Sequence, residues 1–427
     1  MMESVTIIGL GYVGLPLFCL VAEKGYQVSG VDIIEAKLRQ IKQHQLTYED
    51  EIVKRFYQND PGHLRLTSNA SETVPDSDII VICVPTPVDS NRMPDFSPLM
   101  SAIQSIVSEI RPEQLVIVES TIYPGTIEEI VLPILVKSGL KPGKDFYIAH
   151  CPERIDPGNK KWTLKNIPRV CGALSQKGLQ HAVKFYESII DAPIYPLSSL
   201  KAAEACKVVE NSFRDINIAF VNELAMSFDK MGIDTMEVIQ GAATKPFAFL
   251  PHYPGSGVGG HCIPVDPYYL IKKAADIGFD HEFLRMARKI NDGMPNYTVI
   301  LLRELISQAG RSLKDSTIGL LGIAFKRGIG DFRNSPYFQI KEILEVQGGT
   351  VLAFDPNVRS LSSVSTIDEL LEESDFLILI TDHPEFLNLP PSKLAESGII
   401  GIIDGRNALS KEGIKDLGIL YKGIGQT

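Results

Sequence analysis

A chain of 427 residues suggests about three domains, and its 44% hydrophobic and 22% charged residues exclude a disordered or fibrous polymer. A formal charge of -10 and an isoelectric point near 5.4 exclude a general electrostatic grip on nucleic acid, while leaving room for a local basic pocket. Six scattered cysteines without a C-x-x-C pair read as reduced thiols of a cytoplasmic protein, not as a disulfide framework.

Val5 to Ala22 is uncharged and mostly apolar, long enough to raise the question of a membrane segment. It follows Glu3, lacks a basic flank, and is interrupted by Gly9, Gly11, Gly14 and Pro16. It reads instead as a β-branched strand, Val5 to Ile8, a glycine turn, and a helix to about Lys24; no membrane partner is expected. A second strand, Gln27 to Val31, closes on Asp32 and completes a parallel βαβ unit. Asp78 to Val84, Gln114 to Glu119 and Asp145 to Ala149 continue as short strands buried on both faces. This first domain is placed at 1–195.

Ser199 to Met231 contains neither glycine nor proline and predicts one long helix or two abutting ones. With helical patterns over Thr235 to Ala243 and His281 to Gly310, it defines an all-helical middle domain at 196–305. Alternation then returns at Thr317 to Gly322, Thr350 to Phe354, Phe376 to Ile380 and Gly398 to Ile403, a second sheet domain at 306–427. The fold class is α/β: two Rossmann-like doubly wound parallel sheets joined by an all-α middle domain built on a long helix.

Gly9-Leu10-Gly11-Tyr12-Val13-Gly14 sits between a strand and a helix, with Asp32 following 18 residues after the last glycine. In this context the first glycine makes the tight turn, the second admits a pyrophosphate, and the third lets helix and strand pack. Tyr12 and Val13 open the helix whose N-terminal N–H groups face the phosphates. Asp32 would accept hydrogen bonds from both ribose hydroxyls and repel a 2′-phosphate, which favours NAD over NADP. Lys37, one turn into the next helix, either flanks the adenine ribose or is a solvated helix lysine. The C-terminal sheet lacks the third glycine after Gly319-Leu-Leu-Gly322, so it is expected to bind something else, with Lys326 and Arg327 available to an anionic group.

Tyr253 to Pro267 is the most unusual segment: four glycines, Gly255, Gly257, Gly259 and Gly260, suited to wrapping a ligand, precede His261, Cys262 and Asp266. A thiol on a glycine loop fits a catalytic nucleophile, with a reactive non-catalytic cysteine as the alternative; no metal site is expected from His261 and Cys262 alone. Lys207, Asn211, Asp215, Ile218 and Asn222 share one helix face. That stripe either faces water or supplies a lysine and an amide one turn apart to hold an oxyanion.

Together these segments resemble the nucleotide-sugar 6-dehydrogenases, the family that includes UDP-glucose and UDP-N-acetylhexosamine dehydrogenases. The likeness runs through Gly9 to Gly14, Cys83-Val-Pro-Thr-Pro87, Glu119-Ser-Thr-Ile-Tyr-Pro-Gly-Thr126, Pro152-Glu-Arg154, Lys207-Val-Val-Glu-Asn211, Gly259 to Asp266 and Asp331-Phe-Arg-Asn-Ser-Pro336. It implies an NAD-binding domain, a helical centre forming a homodimer or higher homo-oligomer, and a UDP-sugar-binding domain. The implied reaction oxidises the sugar 6-hydroxymethyl to a carboxylate with two NAD in succession, through a thiohemiacetal and thioester on Cys262.

By the same resemblance, Lys207 and Asn211 stabilise oxyanions, Asp266 and Thr121 position water and proton transfers, and Glu153 is the base for hydrolysis. Pro85, Thr86, Thr121 and Arg333 are implied NAD contacts; Glu153, Arg154, Lys207, Asn211, Tyr253, Gly255, Gly257, Gly259 and Lys326 are implied substrate contacts. Pro152-Glu-Arg-Ile-Asp-Pro-Gly-Asn159, Thr244-Lys-Pro-Phe247 and His261-Cys-Ile-Pro264 are most similar to the UDP-N-acetylglucosamine/N-acetylmannosamine branch, so UDP-N-acetylglucosamine is the expected substrate, with UDP-N-acetylmannosamine and UDP-glucose as alternatives. Ser256 replaces the proline common in that branch and is expected to loosen the loop. An NAD-sensing binding protein on the same fold is the non-enzyme alternative, opposed by the joint presence of Cys262, Lys207, Asn211, Asp266 and Glu153.

Overall fold

The computed structural model describes residues 3–45, 50–59, 64–89, 91–155, 159 and 161–426. They form two compact units: Met1–Glu210 with Tyr268–Asp280, and Asn211–Pro267 with His281–Thr427.

The first unit is built on β1 (Ser4–Ile8), β2 (Gln27–Val31), β3 (Arg65–Thr67), β4 (Ile79–Ile82), β5 (Leu115–Val118), β6 (Tyr147–His150), β7 (Arg169–Ala173) and β8 (Ile194–Pro196), in the order β3-β2-β1-β4-β5-β6-β7-β8. The order reverses at β1, whose neighbours are β2 and β4, so a crevice opens beyond their carboxyl ends. β4 (IIVI) and β5 (LVIV) are wholly buried, as strands covered on both faces must be. The sheet departs from the expected wholly parallel one: β7 runs antiparallel to β6. Among the described residues no helix lies between them, and a parallel return would need a crossover of that kind.

Helix α1 (Gly14–Glu23) buries every residue from Gly14 to Val21. That burial explains the membrane-like composition, since this helix lies in the protein core. Among the described residues no helix is long and apolar enough to cross a membrane. Helix α2 (Gln176–Ile189) starts on Ser175, whose side chain accepts from the N–H of Gly178. Helix α3 (Leu200–Met231) is continuous, one helix and not two, and stops at Gly232 in the left-handed region (φ +72°). The boundary between the units falls inside it, after Glu210.

In the second unit, Asp234 caps α4 (Thr235–Ala243) through the N–H groups of Met236 and Glu237. Helix α5 (Asp266–Asp276) begins here, and α6 (Glu282–Gln308) follows. Strands β9 (Thr317–Leu321), β10 (Thr350–Phe354), β11 (Phe376–Leu379), β12 (Gly401–Asp404) and β13 (Leu420–Gly423) form a parallel sheet ordered β10-β9-β11-β12-β13. Alternation divides its strands between two cores: Ile378 packs with Leu301 and Leu302 of α6, while Leu377 and Leu379 pack with Phe386 on the other face. The short strands β3, β8 and β13 were not legible as alternating runs, because edge strands of three or four residues carry too little pattern.

Candidate active site

In the first unit, the three glycines of the turn differ in what they face. A Cβ on Gly9 (φ +93°) would lie 2.8 Å from the Cys83 carbonyl oxygen, and one on Gly14 would lie 1.9 Å from that of Gly9. A Cβ on Gly11 would meet nothing within 4 Å. Packing therefore requires the outer glycines, while the middle one borders open space of the kind a pyrophosphate needs. Tyr12 is 41% exposed, and Val13 starts α1 without a side-chain cap. The residues present fit a dinucleotide.

Asp32 is buried at the end of β2; its carboxylate accepts the N–H of Leu10 at 2.9 Å and that of Ile34 at 3.0 Å. Lys37 Nζ stands 2.7 Å from Asp32 Oδ2 with its side chain one-third exposed, so it is a counter-ion to that carboxylate. Thr86 Oγ1 donates to the Thr121 carbonyl at 2.7 Å, and the Tyr269 hydroxyl donates to the Thr86 carbonyl, which fixes the exposed Pro85–Pro87 turn against the loop after β5.

Lys207 on α3 is 8% exposed. Glu153 is also buried; Arg169 donates to its Oε2 at 2.6 Å and the Arg154 N–H to its Oε1 at 2.5 Å. The Arg154 guanidinium is held by Glu210 at 2.7 Å and the Pro168 carbonyl at 2.7 Å. Glu204, one turn before Lys207, accepts the N–H groups of Gly125 at 2.5 Å and Ile127 at 2.9 Å. Burial pushes its carboxyl up from 4.5 to about 7 despite those two donors.

In the second unit, Cys262 is partly exposed and occupies the turn that leads into α5. Its carbonyl accepts from Val265 at 3.0 Å and Asp266 at 2.8 Å. Asp266, 2% exposed, stands in the first turn of α5, where the helix dipole favours a negative charge. Asn211 Nδ2 donates to Asp266 Oδ2 at 2.5 Å. Cys262 thus differs from Cys19, Cys83, Cys151 and Cys171, all buried; burial raises the thiols of Cys19 and Cys83 far above their ordinary value.

The glycine loop meets its own unit more than open space. A Cβ on Gly259 would lie 2.6 Å from Phe325 Cβ, one on Gly260 (φ +94°) 2.9 Å from the Phe325 ring, and one on Gly257 (φ +141°) 3.1 Å from Pro336. These glycines therefore also let Phe325 and Pro336 pack against the backbone, a packing role beside the expected one of wrapping a ligand. The loop is not loosened at Ser256 either: the residue is 2% exposed, and its N–H donates to the Gly405 carbonyl at 3.2 Å. Tyr253 is exposed at the loop's start.

The polar stripe of α3 splits in function. Asp215 and Asn222 face neither water nor an oxyanion: Arg288 of α6 donates to Asp215 at 2.5 Å, and Asn291 donates to it at 2.8 Å. Asn222 receives the Gly255 N–H and donates to Asn291 at 2.9 Å.

Arg333 is bonded to Asp331 through Nε at 2.9 Å and to His261 Nδ1 at 3.0 Å. Burial works to raise the Asp331 carboxyl, but hydrogen bonds from Arg333 outweigh it and leave the group below its ordinary value. Lys326 is half-buried on the loop after β9; its neighbour Arg327 pairs with Asp382. Asp382 also faces Arg406 Nε at 3.4 Å, and a Cβ on Gly255 would lie 3.5 Å from the Arg406 guanidinium. Arg406 was missed in the sequence, where its only signal is the Asp404-Gly-Arg turn ending β12. The Asp156-Pro-Gly158 part of the branch motif lies outside the described residues.

Three family models match the chain in order: the NAD binding domain of the UDP-glucose/GDP-mannose dehydrogenase family over 3–190, its central domain over 201–293 and its UDP binding domain over 319–411. A UDP-N-acetyl-D-mannosamine dehydrogenase of Pyrococcus horikoshii is 36% identical over 425 residues, covering 99% of both chains. A UDP-N-acetyl-D-glucosamine 6-dehydrogenase of Pseudomonas aeruginosa is 36% identical over 409 residues, covering 92% of this chain and 94% of its own. The solved structure of the UDP-D-ManNAc dehydrogenase from Pyrococcus horikoshii superimposes with a TM-score of 0.91 at 35% identity, covering 99% of each chain. The chain belongs to the UDP-glucose/GDP-mannose dehydrogenase family and is an NAD-dependent UDP-sugar dehydrogenase that acts on a CH–OH group.

Proposed function

We propose that the chain oxidises the 6-hydroxymethyl of a UDP-N-acetylhexosamine, UDP-N-acetylglucosamine first among them, to the carboxylate. The single observation that carries this reading is a partly exposed Cys262 one turn before a buried Asp266 that is bonded to Asn211. Thr244-Lys-Pro-Phe247 and His261-Cys-Ile-Pro264 support the N-acetylhexosamine branch, and similar relatives act on both C2 epimers.

NAD, when bound, takes up the hydride from C6 in each of two oxidations, and the balance is one alcohol, two NAD⁺ and one water giving one carboxylate, two NADH and three protons. Lys207 and Asn211, one turn apart on α3, stabilise the alkoxide and the tetrahedral oxyanions. After the first oxidation the Cys262 thiolate adds to the aldehyde carbon, which keeps the aldehyde from escaping. The second oxidation leaves a thioester. Asp266 and Thr121 orient the protons and the water, and Glu153 takes the water's proton as its oxygen attacks the acyl carbon and sulfur leaves. Lys326 and Arg406 hold the anionic side of the UDP-sugar, beside the loop from Tyr253 to Gly259.

Association is a further part of this reading. Phe213 and Phe220 on α3 and Phe283 on α6 are each about half exposed or more, at 49%, 51% and 69%, an apolar surface suited to a homodimer through the central helices. Light scattering on the purified protein reads that mass directly.

NADH released to completion per mole of sugar tests the reaction, with UDP-N-acetylglucosamine, UDP-N-acetylmannosamine and UDP-glucose run in parallel. Two NADH with one N-acetylhexosamine strongly preferred is the expected result. Two NADH from UDP-glucose alone overturns the substrate; one NADH per sugar overturns the covalent second half.

A further inference from the structure

Arg169 opens β7 with its side chain wholly buried between two glutamates of the first unit. Its NH1 lies 3.0 Å from Oε1 of Glu119, the residue that follows β5, and its NH2 donates to Glu153 Oε2 at 2.6 Å. The other oxygen of Glu153 accepts the backbone N–H groups of Arg154 and Ile155. Glu119 is 1% exposed and receives the hydroxyl of Tyr186 from α2, whose ring also lies against the guanidinium at 5.3 Å.

Among the described residues, the other side chains hydrogen-bonded to this row are thiols and bring no second cation. Cys83 Sγ, after β4, is 4.0 Å from Glu119; Cys151 Sγ, after β6, is 3.9 Å from Arg169; the free thiol of Cys171 on β7 is hydrogen-bonded to that of Cys151. One guanidinium therefore serves two buried carboxyls, and a buried site that would carry a net negative charge favours a proton on one of them. Burial raises the Glu119 carboxyl to about 7, against the pull of Arg169.

We propose that Glu119, acting through Arg169, is a positioning residue that sets how readily Glu153 takes the proton of the hydrolytic water. An ionised Glu119 draws part of the guanidinium's hold to itself; a neutral Glu119 leaves all of it on Glu153. A guanidinium shared with Glu119 leaves the Glu153 carboxylate less tied than one given wholly to it, and freer to meet the water. The step governed is the last one. Water oxygen bonds to the acyl carbon, the C–S bond breaks, Cys262 leaves as thiolate, and the water's proton goes to Glu153. This inference rests on Glu153 as the hydrolytic base, and the experiment separates the two.

Glu119→Gln fixes the neutral form with nearly the same shape. The expected result is a kcat about tenfold lower, a part of what a positioned general base contributes. It is accompanied by a burst of two NADH per active site, an acyl adduct on Cys262 seen by intact mass, and loss of the rise in kcat through pH 7. Hydroxylamine, which cleaves thioesters without a protein base, restores turnover. Tyr186→Phe keeps Glu119 but removes a donor to its charged form, so the kcat limb moves to higher pH; this variant also tests the idea if Glu119→Gln does not fold. A wild-type pH profile and no adduct in Glu119→Gln, or an unmoved limb in Tyr186→Phe, overturns the proposal, while adduct accumulation in Glu153→Gln leaves the base assignment standing. Normal hydrolysis by Glu153→Gln removes the base assignment, and the proposal with it.

Discussion

The N–H of Gly255 donates to Oδ1 of Asn222 at 3.0 Å, so the first glycine of the cysteine loop is fastened to the polar stripe of α3. Asn222 in turn donates to Asn291, which bonds Asp215, which takes the guanidinium of Arg288. A chain of buried polar groups on α3 and α6 thereby fixes where the loop begins. Such a network rigidifies when every member is satisfied and becomes costly when one is removed. Replacing Asn222 with Ala is expected to raise KM for the UDP-sugar several-fold while leaving KM for NAD within about twofold, because the asparagine touches the loop and not the dinucleotide turn. Steady-state kinetics with each substrate varied in turn reads the split.

Arg288 is 4% exposed against a fully buried Asp215, and burial raises that carboxyl above its ordinary value even with the guanidinium beside it. Arg288→Ala leaves an uncompensated buried carboxylate, and breaking such a pair costs about 3–5 kcal/mol. A fall of that size in unfolding free energy, from urea titration at neutral pH, is expected. Arg288→Met, which retains much of the buried bulk, should lose less.

The glycines of the dinucleotide turn should separate stability from binding. Gly14→Ala places a methyl 1.9 Å from the Gly9 carbonyl, and overpacking of this kind costs about 1–3 kcal/mol. Gly11→Ala places a methyl that meets nothing within 4 Å among the described residues and is expected to leave the melting temperature unchanged or slightly raised, while weakening NAD by about tenfold or more. Thermal melts and NAD titration by calorimetry check both; equal effects of the two variants on melting would refute the assignment.

Glu204 has a folded-state value of about 7 against an ordinary 4.5, so the folded protein favours its proton. Its contribution to stability is complete below about 4.5 and is lost as the pH rises through about 7, on the order of 3 kcal/mol across that window. Urea midpoints measured at pH 5 and pH 8 should therefore differ less in Glu204→Gln than in the parent. A difference unchanged by the substitution would show that other groups carry the slope.

Cys262→Ser is expected to reduce net turnover by on the order of 10³-fold or more, with NAD affinity unaffected, because the thiol acts on the sugar carbon and not on the cofactor. Titration of NAD against the variant, beside NADH release from the UDP-sugar, distinguishes lost chemistry from lost binding. Normal release of two NADH would sink the covalent route.

The amino-acid sequence by itself determined what depends on neighbours along the chain. Gly9, Gly11 and Gly14 between strand and helix, Asp32 at the next strand's end, the uninterrupted run from Leu200 to Met231, and Cys262 after its glycines are all local patterns. Hydrophobic periodicity and backbone freedom act over a few residues, which is why these were legible. Tertiary structure alone decided the rest, because those contacts join residues far apart in sequence. It turned β7 against β6, seated Phe325 and Pro336 where the loop glycines lack side chains, and set Lys37 on Asp32. It also brought Arg406 beside Gly255, directed Asp215 and Asn222 to α6, and placed Arg169 between two glutamates. A buried charge reveals its purpose only through its partners, and those partners are chosen by the packing of the fold.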